Sequence, residues 1–245
     1  MNIALIGFGK VSYNLFKLID SPDINFLTST EGRSQKTVDL INESNIEVFD
    51  SFREAVEKSD IVISAVTPSQ ALDVSRRYAR DYQGLYLDLN NVSPDTKSQI
   101  NDVCENFVDG AVIGKIDSDN LTLFLSGKNT DKLLFLNDFL NVKIISDNVG
   151  DASKLKLLRS TYTKALSVLL IESYSLAQKL NLEDEFFDTL SLTEGDEFKD
   201  KSLSRISNTL NSSKRKAEEL EEILNYFNDD DLKMIKTALE KLKQF

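Results

Sequence analysis

The sequence predicts an α/β domain built on a doubly wound, mostly parallel sheet, followed by a smaller all-α domain. Three observations lead to this prediction. Short apolar runs alternate with amphipathic stretches up to about residue 150, which is typical of βαβ units. Several runs are continuously apolar, as are strands buried on both faces of a parallel sheet. Beyond Gly150 the pattern is helical, with no convincing strand.

The predicted strands all lie in the N-terminal part, at residues 3–6, 24–28, 61–66, 85–89, 107–112, 121–126 and 142–145. The helices predicted between them span residues 11–19, 34–42, 52–57, 69–80, 94–106 and 130–140. The C-terminal helices are predicted at residues 153–180, 183–192, 199–208, 214–227 and 230–245. The change of pattern predicts a nucleotide-binding domain over residues 1–150 and a helical domain over residues 151–245.

The composition excludes several classes of protein. The 245 residues include a single cysteine and no histidine, which rules out an internal disulfide, catalytic histidines and Cys/His metal sites, so no metal is expected. A net charge of −11 argues against nucleic acid and anionic membranes as partners. We find no targeting segment and no apolar stretch long enough to span a membrane, and therefore expect a cytoplasmic protein.

A glycine motif directly follows the first predicted strand. Residues 7–12 read GFGKVS, a G-x-G-x-x-S pattern that opens an amphipathic helix. In such motifs the first glycine permits a tight turn, the second lets a pyrophosphate approach the backbone, and the third position requires a small residue. The context predicts a Rossmann-type dinucleotide site at a helix N-terminus, although a glycine turn that binds nothing would have the same pattern. The predicted cofactor contacts are Gly7, Phe8, Gly9, Lys10 and Val11.

The end of the second predicted strand favours NADP(H) over NAD(H). An acidic residue at this point would bond the ribose hydroxyls of NAD(H), but the strand here ends in hydroxyl residues. Ser29, Arg33 and Ser34 can bind a 2′-phosphate through charge-assisted hydrogen bonds. Two alternatives remain open, namely that Glu31 turns inward and restores NAD use, or that Arg33 is only a solvated loop residue.

The strand predicted at residues 61–66 leads into a Thr-Pro turn. Loops that follow the carboxyl ends of strands line the ligand crevice of a doubly wound domain. We therefore expect Val66, Thr67 and Pro68 to flank the cofactor. An ordinary strand-to-helix turn is the alternative.

Four segments resemble the β-hydroxyacid dehydrogenase superfamily, which includes 3-hydroxyisobutyrate and 6-phosphogluconate dehydrogenases. They are residues 7–12 (GFGKVS), 88–94 (DLNNVSP), 109–114 (DGAVIG) and 150–160 (GDASKLKLLRS). Residues 159–164 and 214–222 are similar to a 6-phosphogluconate dehydrogenase-like subgroup. The resemblance implies hydride transfer between a nicotinamide and a small β-hydroxy acid or related carbonyl. It also implies a carboxylate substrate and a homodimer formed through the helical domain.

The second of these segments is similar to the substrate loop of the superfamily. Asn90 and Asn91 stand where that loop has Ser-Thr, and with Ser93 they could donate to a substrate carboxylate. Gly114 is a further substrate contact implied by the resemblance, and the neighbouring Lys115 could add a charge or be solvated. Turn formation and helix capping explain the asparagines equally well.

The fourth segment resembles the start of the helix that carries the catalytic lysine of the superfamily. Its spacing from Gly150 places the general acid/base at Lys156, with Ser160 one helical turn later as a substrate contact. Ala152 and Ser160 depart from the usual Gly and Asn. A solvated amphipathic helix is the alternative. A separate apolar stripe is expected to pack, and it consists of Leu155, Leu158, Tyr162, Ala165 and Leu169.

Two other functions remain open at this point. One is an imine reductase of the pyrroline-carboxylate reductase type, which would not need Lys156. The other is a non-catalytic nucleotide-binding protein, because a fold does not guarantee chemistry. The basic cluster at residues 214–216 could meet an anionic substrate group, although its neighbouring glutamates favour a solvated helix face.

Overall fold

The structure is a computed structural model that describes residues 1–114, 116 and 121–245. The chain divides into two compact units, Met1–Lys156 and Leu157–Phe245. The first unit contains an eight-stranded sheet. Its strands are β1 (Asn2–Ile6), β2 (Asn25–Ser29), β3 (Glu47–Phe49), β4 (Ile61–Ser64), β5 (Leu85–Asp88), β6 (Phe107–Ile113), β7 (Thr122–Ser126) and β8 (Asn141–Ser146).

The strand order is β3-β2-β1-β4-β5-β6-β7-β8, and it confirms the predicted doubly wound sheet. Every neighbouring pair is parallel except β6 and β7, which are antiparallel. Strand β3 was not predicted from the sequence. It is a three-residue edge strand whose Glu47 and Val48 are exposed, so it lacks the apolar run by which the other strands were recognised.

Both faces of the sheet are buried. Ile3 and Leu5 belong to an apolar cluster on one face, and Ala4 and Ile6 to a second cluster on the other. Alternate residues of a strand point to opposite faces, so a continuously apolar run fits a strand covered on both sides. This packing explains why the strands could be located from the sequence.

Short helices connect the strands of the first unit. They are α1 (Lys10–Leu18), α2 (Gln35–Asn42), α3 (Phe52–Glu57), α4 (Ala71–Tyr78) and α5 (Pro94–Asn101). The helix predicted at residues 130–140 is a 3₁₀ helix, Thr130–Asp138. Its buried residues Thr130, Leu133 and Leu136 are three apart, which matches the three-residue turn of a 3₁₀ helix.

The chain is helical from Asp151 onward. The helices are α6 (Asp151–Leu180), α7 (Glu183–Glu194), α8 (Phe198–Leu210), α9 (Ser213–Phe227) and α10 (Lys233–Leu242). Two small apolar clusters stabilise the second unit, one around Leu220 and Leu242 and the other around Phe187 and Ile206. No helix in the described part of the chain is long and apolar enough to cross a membrane.

The apolar stripe of α6 does not pack as expected. Leu158, Tyr162 and Leu169 are 52%, 66% and 54% exposed, whereas Ala165 is partly buried against the cluster around Leu220. The expectation that this stripe faces a core within the chain is therefore wrong. The helix instead presents a row of large apolar side chains to its surroundings.

The single cysteine lies in the sheet domain. Cys104 follows α5 and is 1% exposed within the second apolar cluster of the sheet. Burial raises the pKa of its thiol to about 11. The thiol is therefore protonated at neutral pH and unreactive.

Candidate active site

An open cleft of about 420 Å³ lies at the carboxyl ends of the central strands. The strand order reverses between β1 and β4, and doubly wound sheets bind ligands at such a switch point. The lining residues all belong to the first unit. They are Gly7, Phe8, Gly9, Lys10, Val11, Arg33, Thr37, Ala65, Val66, Thr67, Pro68, Gln70, Leu89, Asn90, Asn91, Val112 and Lys156.

The two glycines of the motif serve different purposes. Gly7 has φ +90°, and a Cβ there would lie 2.5 Å from the carbonyl oxygen of Ala65, so the fold itself requires glycine. A Cβ on Gly9 would meet no atom of the described residues within 4 Å. Packing within the protein therefore does not explain Gly9, whereas a ligand that approaches the backbone at this point does.

Helix α1 begins at the cleft without a cap of its own. Gly9 is the N-cap residue, no side chain accepts from the first turn, and that turn contains no acidic residue. A helix N-terminus carries unsatisfied N–H groups and partial positive charge. Ser12 is fully buried, and its hydroxyl makes no hydrogen bond with any residue in the described ranges. This arrangement fits a dinucleotide diphosphate.

Arg33 is held at the cleft next to β2. Its guanidinium lies 4.8 Å from the centre of the Phe52 ring, and its Nε donates to the carbonyl oxygen of Glu31 at 3.2 Å. The carboxylate of Glu31 accepts from the backbone N–H of Phe52 at 3.2 Å. The carboxylate of Glu31, which could have restored NAD use, is thus hydrogen-bonded to α3, while Arg33 lines the cleft.

Two of the predicted cofactor contacts do not line the cleft. Ser29 is fully buried, and its Oγ accepts from the N–H of Glu31. Ser34 is exposed at the start of α2, and its hydroxyl lies 3.1 Å from that of Thr37, which does line the cleft. Val66, Thr67 and Pro68 lie in the lining as predicted, where β4 leads into a 3₁₀ turn.

Asn90 has an internal role that the sequence left open. It is 4% exposed, and its Oδ1 accepts from the N–H of Val66 at 2.6 Å. Its Nδ2 donates to Asp88 at 2.6 Å and to Ser64 at 3.1 Å. Both hydrogens of Nδ2 are engaged, so Asn90 could donate to a substrate carboxylate only by giving up one of these bonds. Asn91 is exposed in the cleft lining, and its substrate role stays a prediction.

Ser93 and Gly114 lie outside the cleft lining. Ser93 is the N-cap of α5, where its Oγ accepts from the N–H of Thr96 at 3.2 Å. Gly114 is exposed just after β6, with φ +93°. Lys115 lies outside the described residues.

A buried charge network joins β5, α5 and β6. Lys97 is fully buried, with its Nζ 2.5 Å from Asp88 and 3.1 Å from Asp109. Burial lowers the pKa of Lys97, but attraction to the two carboxylates outweighs burial, and the pKa is raised overall. Burial raises the pKa of Asp88, against the opposing effect of Lys97. The single Lys97 ammonium thus neutralises one charge of two buried carboxylates.

The same network fixes the start of α6. Asp109 accepts from the backbone N–H of Ser153 at 3.0 Å and from its hydroxyl at 2.8 Å. Ser126 on β7 accepts from the N–H of Ala152 at 3.0 Å. These bonds hold the first turn of the helix against β6 and β7, and Lys156 follows one turn later in the cleft lining.

Ser160 is bonded within the second unit. Its hydroxyl accepts from Nζ of Lys164, a side chain that is almost fully buried. The proposed substrate role of Ser160 therefore stays a prediction. In the described residues no group of three or more Asp, Glu or Cys could hold a metal ion.

Sequence reasoning did not find Lys97 or Asp109. Lys97 sits in a polar stretch, PDTKSQIN, that gives no sign of burial, and its partners lie on two different strands. Thr37 and Gln70 also line the cleft without having been predicted. Only the topology brings these residues together.

The fold and the cleft define a dinucleotide-binding α/β protein with a helical C-terminal unit. Residues 2–89 match the model of the family "NADP oxidoreductase coenzyme F420-dependent". The fold and this matched domain are those of NAD(P)-dependent oxidoreductases.

Two relatives are similar along almost the whole chain. An uncharacterised 28.5 kDa protein of Methanothermus fervidus, named for its place in the 7S RNA 5′ region, is 41% identical over 238 residues, or 96% of this chain and 94% of the relative. The conserved protein MTH1747, whose structure resembles 3-hydroxyacid dehydrogenases, is 31% identical with a TM-score of 0.87, covering 100% of this chain and 96% of that one. The chain belongs to the family of these two proteins.

The resemblance to β-hydroxyacid dehydrogenases is confirmed at the level of the fold. A 3-hydroxyisobutyrate dehydrogenase of Mycobacterium tuberculosis, solved with L-serine, superposes with a TM-score of 0.78 at 17% identity. That match covers 100% of this chain and 93% of the dehydrogenase.

Proposed function

We propose that the protein is an NADP-dependent oxidoreductase acting on a small β-hydroxy acid or the corresponding carbonyl compound, with Lys156 as general acid/base. The observation that carries the proposal is the shared cleft: the glycine motif, Arg33 and Lys156 all line it. The family match over residues 2–89 and the dehydrogenase fold support the same class of reaction.

The cleft supplies suitable groups for each part of NADP(H). The N-terminus of α1 and the open space at Gly9 would receive the diphosphate. Arg33 would bind the 2′-phosphate, because a guanidinium matches phosphate geometry and Phe52 already orients it. Val66, Thr67 and Pro68 would flank the cofactor, which supplies or accepts a hydride when bound.

Lys156 and Asn91 would act on the substrate. In the reductive direction the Lys156 ammonium donates a proton to the carbonyl oxygen, and in the oxidative direction the amine removes the hydroxyl proton. Asn91 is exposed in the cleft and can donate to a carboxylate without adding charge. Asp109 and Ser126 act as positioning residues, because they hold the first turn of α6.

The test is reduction of a panel of oxo acids, cyclic imines and coenzyme F420 by NADPH; F420 is included because the family description names it. Lys156→Ala should lower kcat by about 10²- to 10⁴-fold, the usual contribution of a general acid/base, and leave the Kd of NADPH unchanged. Lys154→Ala, which removes an exposed lysine of the same helix paired with Asp151, is the matched control.

Three outcomes would contradict the proposal. Undiminished turnover of cyclic imines by Lys156→Ala would favour an imine reductase. Tight NADPH binding without turnover of any substrate would favour a non-catalytic nucleotide-binding protein. If neither NADPH nor NADH raised the Tm, the cleft would not be a dinucleotide site.

A further inference from the structure

Four cations of the second unit lie around a single carboxylate, and only two of them pair with it. Glu219 on α9 lies 2.9 Å from Nζ of Lys164 and 3.6 Å from Nε of Arg215. Arg205 and Lys216 have no acidic partner within 4 Å in the described ranges, although they lie in the same cluster. The group thus has three positive charges in excess, in a chain whose net charge is −11.

Three of these side chains are at least partly buried, namely Lys164, Arg205 and Lys216, whereas Arg215 is exposed. The Lys164 side chain is only 8% exposed. Lys216 donates to the hydroxyl of Thr209 at 2.7 Å, and Thr209 donates to the carbonyl oxygen of Arg205 at 2.8 Å, so the cluster is tied across α8 and α9. A buried Nη1 of Arg205 makes no hydrogen bond with any described residue. Leaving a charged donor buried and unpaired is unfavourable, and proteins rarely do so without a reason.

Burial and the excess positive charge both lower the pKa of one member of the cluster, Lys216. Burial lowers the pKa of Lys216, and the neighbouring cations Lys164, Arg215 and Arg205 lower it further. Glu219 opposes them but does not compensate. An anion placed among these groups would relieve both the repulsion and the unpaired guanidinium.

We propose that Arg205, Lys216 and Lys164 form a binding site for a doubly charged oxyanion, the phosphate or phosphonate group of a small molecule. Three excess charges fit a dianion better than a single carboxylate. Arginine binds such groups through two parallel hydrogen bonds, and the lysines add point charges. This site does not depend on the proposed function.

The experiment titrates the full chain, without cofactor, with inorganic phosphate and measures binding by calorimetry. Arg205→Gln and Lys216→Gln should each weaken phosphate binding about tenfold, the effect of losing one charge-assisted hydrogen bond. Lys214→Gln removes the same charge from an exposed position of α9 and should leave the Kd unchanged. Acetate should bind at least about tenfold more weakly than phosphate.

The site would be overturned if the wild type, Arg205→Gln and Lys216→Gln bound phosphate with equal affinity. Phosphate that bound only in the cleft of the first unit would give this result. Equal binding of acetate would overturn the preference for a dianion. The melting temperature gives a second readout, because phosphate should raise the Tm of the wild type and of Lys214→Gln but not of the two site variants.

The site and the proposed function can fail separately. If NADPH does not bind but phosphate binding is still sensitive to Arg205→Gln, the proposed function is overturned and the site is supported.

Discussion

Lys97 is the described counter-ion of two buried carboxylates in the sheet domain. Removing it leaves Asp88 and Asp109 buried without a counter-charge, and the same two carboxylates hold Asn90 and the first turn of α6. Removing one partner of a buried ion pair lowers the stability of the protein by far more than the intact pair contributes, because the other charge stays buried without a partner.

We therefore expect Lys97→Met to lower the free energy of unfolding by about 3–5 kcal/mol. Urea unfolding followed by circular dichroism measures this change. Lys36→Met alters an exposed lysine of α2 and should change the value by less than about 0.5 kcal/mol. Equal stability of the two variants would show that Lys97 is not the essential counter-ion.

At the residue scale, we propose that Arg33 favours NADPH over NADH. Arg33→Ala should raise the KM for NADPH at least about tenfold and leave the KM for NADH nearly unchanged, because only NADPH has the 2′-phosphate. Arg53→Ala, a change in a neighbouring arginine outside the cleft lining, is the control. An unchanged preference for NADPH in Arg33→Ala would contradict the assignment.

At the scale of the element, we expect the two glycines of the turn between β1 and α1 to differ in role: Gly7 is needed for folding and Gly9 for cofactor binding. Gly7→Ala would force a side chain against the carbonyl of Ala65 in a left-handed backbone, and we expect a loss of about 1–3 kcal/mol in unfolding free energy. Gly9→Ala meets no protein atom in the described part, so it should cost under about 1 kcal/mol yet weaken NADPH binding at least tenfold.

Denaturant unfolding and NADPH fluorescence titration of both glycine variants test this difference in role. A stable Gly9→Ala protein that binds NADPH as tightly as the wild type would place the diphosphate elsewhere. A Gly7→Ala protein as stable as the wild type would contradict the steric argument.

Elements were predictable where burial leaves a periodic pattern. The runs around Ile3–Leu5 and Ile61–Ile63 are covered on both faces, and their positions could be predicted from the sequence. The edge strand β3 has no such pattern and was missed. The helix at residues 130–140 was located, but its 3₁₀ type was not predicted.

The candidate site was predictable where it lies on one continuous segment, as around Gly7 and Gly9. The Lys97 network and the cluster around Arg205 join residues that are distant in sequence, so only the folded structure brings their charges together. The role of Asn90 likewise depends on a neighbouring strand.

At the scale of the whole molecule, the exposed stripe of α6 implies assembly. Large apolar side chains recur at roughly heptad spacing along one helix, and each is more than half exposed. They are Leu158, Tyr162, Leu169, Leu176 and Leu180. If α6 packed against α6 of a second chain across a two-fold axis, the stripe would be buried on both chains. We therefore infer a homodimer.

Light scattering should therefore give about twice the chain mass of 27.6 kDa. The double variant Tyr162→Lys, Leu169→Lys should be monomeric, because two charges on each chain would be buried in the pairing. Leu192→Lys changes an apolar residue of α7 that is 87% exposed outside the stripe and should remain dimeric. A monomeric wild type would contradict the inference.

Cys104 gives the molecule an unusual experimental advantage. Because the sole native thiol is enclosed and protonated, maleimide dyes will react only with cysteines placed deliberately on the surface. One dye on each of the two units would allow single-molecule energy transfer to measure the distance between the dyes with and without nucleotide, with no background labelling to remove.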